Sequence, residues 1–219
     1  MQVLCGCDAS AMRQGPARDI SRIVRRYHRR MRSNPAIPDV SLVRELDATQ
    51  SSHSSLQPSM PIDPRQLRQV LGQFATGITV IATRSDEGEL VGLTANSFGA
   101  LSLDPPLITW ALRLNSTNLP VFQTAEHFSV NVLAEAQVEI SRRFAKSTGN
   151  KFDGVSYALG EFGLPLIHGA AAWFECRTVS QQIAGDHCLF IATVETFARS
   201  ESPPLIFHGG AYFTLGSKF

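Results

Sequence analysis

Apolar residues recur along this chain at two spacings, and the switches between them mark out its elements. From residue 62 the first spacing is helical. Asp63 is a suitable N-cap with Pro64 at the first helical position, and Leu67, Val70, Leu71 and Phe74 then form one apolar face that runs on to Gly77. The β-branched run Ile78–Thr83 (ITVIAT) reads as a strand, Ser85-Asp86-Glu87-Gly88 as a turn, and Glu89–Thr94 as a strand returning antiparallel. A compact polar cluster, Thr94-Ala95-Asn96-Ser97, separates that strand from a second apolar run, Phe98–Leu103, which Asp104-Pro105-Pro106 stops. Further strands are expected over Leu107–Leu114, His127–Leu133, Ala170–Ile183, His187–Ala198 and Leu205–Leu215. Asn115-Ser116-Thr117-Asn118 reads as a helix cap leading into Leu119. Ala134–Ala145 is amphipathic, with Val138, Ile140 and Phe144 inward, and Gly149–His168 is an irregular crossing.

The result is about seven or eight strands with three short helices, and the two types do not alternate. That pattern predicts a mainly β protein, an antiparallel β-barrel with helical decoration, rather than a doubly wound sheet.

Composition changes this picture only at the N-terminus. The 219 residues are 43% hydrophobic and 18% charged, which suits a globular chain with a sizeable core. The formal net charge of +1 hides an asymmetry, because residues 1–60 hold nine Arg against five acids and residues 61–219 hold eleven Lys plus Arg against fourteen. Residues 61–219 thus lack the broad basic surface that nucleic acid requires, and neither nucleic acid nor membrane is an expected partner. Residues 1–59 are expected to be a flexible basic extension ending in a Ser-rich linker, with the domain proper at 60–219 and Met60 an alternative start. Within the extension, Ile20–Met31 has the pattern of a basic helix, read either as a targeting or interaction arm or as a solvated one.

Cys5 and Cys7 lie in the extension without metal-binding partners; Cys176 and Cys188 lie inside apolar strands and read as buried reduced thiols. No metal site is expected, and the reduced thiols, with no apolar stretch of membrane-spanning length and no secretory signal, point to the cytoplasm.

Candidate chemistry is spread over four segments. No GxGxxG follows a strand, and there is no Walker loop, GxSxG or HExxH. What stands out is the Thr94–Ser97 cluster, Arg113 with Asn115–Asn118, Arg142-Arg143-Phe144, and Gly185-Asp186-His187. Hydroxyls, amides and a cation at a helix start make a phosphate site. Each segment also has a plainer reading: a hydrogen-bonded strand kink, a helix cap, solvated arginines, and a hairpin turn beside a core histidine.

Taken in order, these segments resemble one family. The residues that carry the likeness are Ile62-Asp63-Pro64, Leu71-Gly72-Gln73-Phe74-Ala75-Thr76-Gly77, Gly92-Leu93-Thr94-Ala95-Asn96-Ser97-Phe98, and Ser102-Leu103-Asp104-Pro105-Pro106. Phe128-Ser129-Val130-Asn131-Val132-Leu133, Arg143-Phe144-Ala145, Lys151-Phe152, Gly185-Asp186-His187 and Pro204-Leu205-Ile206 continue it. Residues 61–219 resemble the short-chain flavin reductases that form the reductase component of two-component flavin-dependent monooxygenases; Ala192, where that family usually has Gly, is a small departure.

The resemblance implies an FMN-binding split barrel, usually a homodimer, that uses FMN or FAD and NADH (or NADPH). By it, Gly92, Thr94, Ala95, Asn96 and Ser97 border the isoalloxazine ring. Arg113, Ser116, Thr117 and Asn118 follow the ribityl-phosphate, joined by Arg143 and Phe144. His187 touches the nicotinamide, with Tyr212 beside it. No side chain is assigned a catalytic acid or base role, because the cofactors carry the hydride chemistry. The expected activity is NAD(P)H:flavin oxidoreduction with diffusion of reduced flavin to a partner oxygenase. The alternatives are a flavin carrier or sensor on the same barrel, and, more distantly, an interaction arm mounted on a structural barrel.

Overall fold

The run Ile78–Thr83 has no charged residue because the strand it forms is buried on both faces. In a computed structural model describing residues 62–147 and 149–217, strand β2 (Thr79–Arg84) is buried from Thr79 to Thr83. Two short elements precede it, α1 (Pro64–Leu71) and β1 (Thr76–Gly77). Successive side chains of a strand point to opposite faces. Ile81 therefore joins one core with Trp110, Phe122, Phe128, Val130 and Phe190, while Val80 and Ala82 join a second with Leu133, Phe144, Phe152 and Leu205. Trp110 stacks on Phe190 at the centre of the first core, with centroids 4.4 Å apart and planes 11° apart. The sheet lies between the two cores.

The remaining strands are β3 (Leu90–Ala95), β4 (Gly99–Leu103), β5 (Pro106–Arg113), β6 (His127–Val132), β7 (Tyr157–Leu159) and β8 (Pro165–Ile167). They are followed by β9 (Ala172–Ala184), β10 (His187–Arg199), β11 (Ile206–His208) and β12 (Ala211–Phe213). Two more helices, α2 (Leu119–Thr124) and α3 (Val138–Phe144), complete the described chain with a 3₁₀ turn at Glu135–Gln137. Seven strands form one sheet in the order β3-β2-β6-β9-β10-β5-β4. All its pairings are antiparallel. The expected mainly β class is what the chain adopts. The ladder has β3 and β4 at its two edges, so the sheet is not closed by a β3–β4 pairing; just before β4 the Ser97 hydroxyl bonds both the N–H and the carbonyl of Ala111 in β5 at 3.0 Å each, extending the β4–β5 pairing.

Several elements depart from the pattern-based expectation. Helix α1 ends at Leu71 rather than Gly77, because Thr76 and Gly77 are drawn into a strand pairing with Phe207 and Ile206. Its expected apolar face (Leu67, Val70, Leu71, with Phe74 beyond the helix) is exposed rather than packed into the core. The Leu205–Leu215 strand breaks into β11 and β12, because Gly209 and Gly210 turn at φ 56° and 86°, in the left-handed region that glycine tolerates. Asn118 caps α2 by position but makes no side-chain cap bond.

The irregular crossing contains a hairpin, β7–β8, that periodicity does not reveal. Three buried polar side chains anchor it. Asn131 donates to the Pro165 carbonyl at 3.2 Å and accepts from Ile167 N–H at 2.8 Å, and the Ser129 hydroxyl donates to the Pro165 carbonyl at 2.8 Å. Glu175, 1% exposed, accepts from the N–H groups of Glu161 (2.9 Å) and Phe162 (3.1 Å) at the hairpin turn. A Cβ on Gly160 would stand 2.4 Å from that carboxylate, so the turn needs glycine there.

Cys176 and Cys188 are free buried thiols. Burial, with the nearby Glu195 and Glu175 carboxylates, pushes Cys176 up to about 12. Among the described residues no helix is long and apolar enough to cross a membrane. The expectations for the basic extension, for Cys5 and Cys7, and for a start at Met60 concern residues outside the described ones.

Removing a buried acceptor strands its donors. Glu175→Ala is expected to cost about 1–3 kcal/mol, read as a lower urea midpoint, and to open the 160–164 turn to protease; an unchanged midpoint would show that the carboxylate does not hold the hairpin.

Candidate functional site

The bend that links β3 to β4 is a polar segment held from three sides. Thr79 Oγ1 donates to the Ala95 carbonyl at 2.8 Å, Thr94 Oγ1 donates to the Ser141 carbonyl of α3 at 2.6 Å, and Ser97 is bound to Ala111. The two hydroxyls expected to face a ligand are therefore engaged in shaping the bend. The Asn96 side chain is exposed and has no protein partner among the described residues.

This bend is the floor of a cleft of about 460 Å³, within the range of roughly 300–1,000 Å³ common for small-molecule sites. Thr94, Ala95, Asn96 and Ser97 line it from the bend, Arg113 from the end of β5, and Ser116, Thr117 and Asn118 from the loop before α2. Phe144 closes it from the end of α3 and His187 from the start of β10. Segments up to about ninety residues apart thus converge because β5 and β10 are paired neighbours, with Arg113 directly opposite His187.

Three residues predicted from sequence lie elsewhere. Gly92 lines an adjoining cleft, and a Cβ there would come within 2.8 Å of the Phe144 ring and 3.2 Å of Phe152. Arg143 turns away to bond the Asp153 carbonyl. Tyr212 is bonded through its hydroxyl to Ser141 Oγ at 2.9 Å, with the Arg142 guanidinium 5.8 Å from its ring centroid. It braces α3 and does not line the cleft.

The site's charge is one-sided. Arg113, Lys146 and Lys151 line the first cleft, with no carboxylate among the lining residues, so an anionic ligand is favoured. Lys151 has no assigned role in the sequence reading. Its Nζ donates to the carbonyls of Gly92 (3.0 Å) and Phe144 (3.3 Å), and burial lowers its pKa from the usual lysine value. The signal that could have revealed it is a lysine beside an apolar aromatic, Lys151-Phe152, just after the Gly149-Asn150 turn.

His187 Nδ1 stands 2.7 Å from Asp186 Oδ1. That hydrogen bond, followed by the histidine's charge, holds the Asp186 carboxyl below its ordinary value. With Asp186 ionised, Nδ1 carries the hydrogen and donates, which leaves Nε2 for a ligand. Among the described residues no cluster of His, Cys, Asp and Glu is suited to a metal ion. A shallow floor of small residues, a flanking aromatic ring and cations set to one side can receive a flat ring carrying a phosphate tail. They supply alignment and charge rather than acid–base catalysis.

Comparison with known proteins gives the same direction. Residues 71–216 match the flavin reductase like domain. The reductase component of the flavin-dependent trigonelline monooxygenase of Acinetobacter baylyi is 42% identical over 150 residues, covering 68% of this chain and 48% of that protein. The FMN reductase (NADH) SmoA of Agrobacterium fabrum is 40% identical, covering 68% of this chain and 84% of its own. Among solved structures, the Streptomyces globisporus NADH:FAD oxidoreductase SgcE6, in complex with NAD and FAD fragments, superposes with a TM-score of 0.67 at 35% identity, over 72% of this chain and 98% of that one. The chain spans about half the length of the trigonelline reductase component and of a probable flavin reductase from Rhizobium meliloti.

Gly92→Ala is expected to overpack the Phe144–Phe152 contact and destabilise the fold by about 1–3 kcal/mol in urea denaturation. Stability within a few tenths of wild type would mean that the rings move aside freely.

Proposed function

The chain belongs to the flavin reductase like family, and on that premise we propose that it is an NAD(P)H:flavin oxidoreductase that releases reduced flavin to a partner monooxygenase. The observation that carries this reading is the braced bend of small residues flooring a cleft whose charged lining is cationic. A flavin supplies the redox chemistry when bound, taking a hydride from the nicotinamide. The chain's own part is to hold two flat rings in contact and to exclude other geometries. In this reading Thr94, Ala95, Asn96 and Ser97 lie along the flavin ring, and the Asn96 amide is the side chain free to bond its polar edge. Arg113, Ser116, Thr117 and Asn118 take the phosphate end with Phe144 as a wall, and His187, fixed by Asp186, offers Nε2 to the nicotinamide. Gly92 contributes through packing. Arg143 and Tyr212 contribute by positioning the loop at Asp153 and helix α3.

We place the working protein in the cytoplasm, where its thiols stay reduced, as a domain spanning 60–219 that needs no nucleic acid or membrane. A homodimer is the proposed assembly. Large apolar side chains are left exposed, with Leu103 at 95%, Phe74 at 79% and Phe197 at 69%. Phe197 continues a line of rings through Phe174 and Phe98, with centroids 6.3 and 5.7 Å apart. An exposed apolar surface of that kind marks an interaction site.

Purified protein is expected to oxidise NADH, followed at the nicotinamide absorbance, only when FAD or FMN is added. Flavin binding without NADH oxidation would instead favour a carrier or sensor. His187→Ala is expected to raise the KM for NADH about tenfold, roughly 1.4 kcal/mol, with flavin affinity kept; unchanged KM and turnover would remove His187 from the site. Leu103→Asp is expected to convert the dimer to monomer in light scattering, and a wild-type mass would locate the interface elsewhere.

A further inference from the structure

The chain contains one Asp-Gly step and no Asn-Gly step, and the single example is Asp153-Gly154. It lies in a turn closed by the Val155 N–H, which donates to the Phe152 carbonyl at 3.0 Å. Gly154 takes the third position of that turn with φ 69°, where a type II turn places its glycine. Asp153 and Gly154 are both exposed. Among the described residues the Asp153 carboxylate has no hydrogen-bond or ion-pair partner, and neither has the Gly154 N–H. The turn is therefore free at the two atoms that an aspartyl-to-succinimide cyclisation joins.

One side chain does reach the step. Arg143 Nη1 donates to the Asp153 carbonyl, and a Cβ on Gly154 would stand 3.9 Å from the same nitrogen, so the guanidinium borders the Asp153–Gly154 peptide. Its effect there is electrostatic. A cation on the carbonyl oxygen draws electron density from the amide and makes the Gly154 N–H easier to deprotonate. The same cation stabilises the oxyanion that forms when water adds to that carbonyl carbon. Glycine contributes no side chain to obstruct the attack.

We infer that Asp153-Gly154 is a site of spontaneous isoaspartate formation, which Arg143 steers toward the isoaspartyl product. Gly154 N gives its proton to water and attacks Cγ of the protonated Asp153 carboxyl; water leaves, and a succinimide ring closes. Hydrolysis returns the water. Addition at Cγ regenerates aspartate. Addition at the main-chain carbonyl carbon, whose oxygen Arg143 holds, breaks the bond from that carbon to Gly154 N and leaves a main chain that runs through Cγ. No oxidant or co-reactant takes part, and the mass is unchanged. The released α-carboxylate then faces Arg143 as an ion pair where a neutral carbonyl stood before, so the cation also favours the product. The main chain gains one methylene between Val155 and Phe152, whose ring packs edge to face on Phe144 at 4.8 Å, and the turn loses the register that closes it. None of this depends on the flavin reading of the cleft.

The test uses the full chain, incubated for weeks at neutral pH in water enriched in oxygen-18 and then digested for mass spectrometry. A synthetic peptide of residues 150–157 is the reference that lacks Arg143. Each pass through the succinimide places one heavy oxygen at residue 153. Label is expected at Asp153 about tenfold above that at Asp63, Asp86, Asp104 and Asp186, shared between aspartyl and isoaspartyl peptides that separate chromatographically. The isoaspartyl-to-aspartyl ratio should be about twofold above that of the peptide. Asp153→Glu keeps the charge but needs a larger ring, and should carry no label. Arg143→Met should bring the ratio down to the peptide's, and Arg143→Lys should restore part of it; the comparison of wild type with peptide stands whether or not these variants fold. An unlabelled Asp153 in the folded chain, with label in the peptide, would overturn the inference. Equal ratios in the wild type and the peptide would overturn the steering given to Arg143.

Discussion

The arrangement depends on how a polar bend is kept in place at the edge of a curled sheet. Between Thr94 and Ser97 the chain leaves strand β3, and buried polar groups there are costly unless bonded. Three hydroxyls meet that requirement, each reaching a different element: Thr79 from β2 to the Ala95 carbonyl, Thr94 to the Ser141 carbonyl of α3, and Ser97 to Ala111 of β5. Together they fix the position of the floor relative to α3 and to β5. The packing behind the floor is equally unforgiving, since Gly92 lets the Phe144 and Phe152 rings come as close to the backbone as a side-chain-free residue permits. A flat ligand needs a surface that does not move, and this bend is built from strands and a helix rather than from a loose loop.

How far this was legible in the sequence depends on the range of the forces involved. Strands β2, β5, β6 and β10 were readable because their β-branched and aromatic runs reflect burial, which is a local property of the text. The hairpin β7–β8 was not readable, since its strands are three residues each and its stability comes from Asn131, Ser129 and Glu175 in distant strands. The trace it leaves is on those partners: polar residues inside the apolar run Phe128–Leu133 make sense once a second backbone must be bonded there. Helix α1 shows the reverse case. Its apolar periodicity is real, yet it does not bury its face among the described residues, because periodicity records that a face is to be covered and not what covers it.

The candidate site divides in the same way. The residues Thr94–Ser97, Arg113, Ser116–Asn118, Phe144 and His187 were named from short motifs, and it is the pairing of β5 with β10 that brings the far ones together. Arg143 and Tyr212 sit in equally suggestive text, but their polar atoms are engaged by the Asp153 carbonyl and the Ser141 hydroxyl rather than by the cleft. No spacing rule distinguishes a side chain that faces the cleft from one that braces the wall behind it. Neighbouring positions on a helix diverge by about 100°, so Arg143 and Phe144 part company although they are adjacent.

A site of this kind places unusual weight on its cations. Where the cofactors carry the reaction, a protein gains rate by alignment, and alignment of a flat ring is weakly specified by dispersion alone. The anionic tail is what converts a sliding contact into a registered one, because a charge-assisted bond has a definite length and direction. Lys151 is placed to support Arg113 in that task. Its ammonium is partly withdrawn from water and held by two backbone carbonyls, one of them belonging to Gly92 in the strand that leads to the floor and the other to Phe144, the wall. Contact with the ligand's phosphate would therefore be referenced directly to the two surfaces that bound the ring. A shift of either element moves the cation with it.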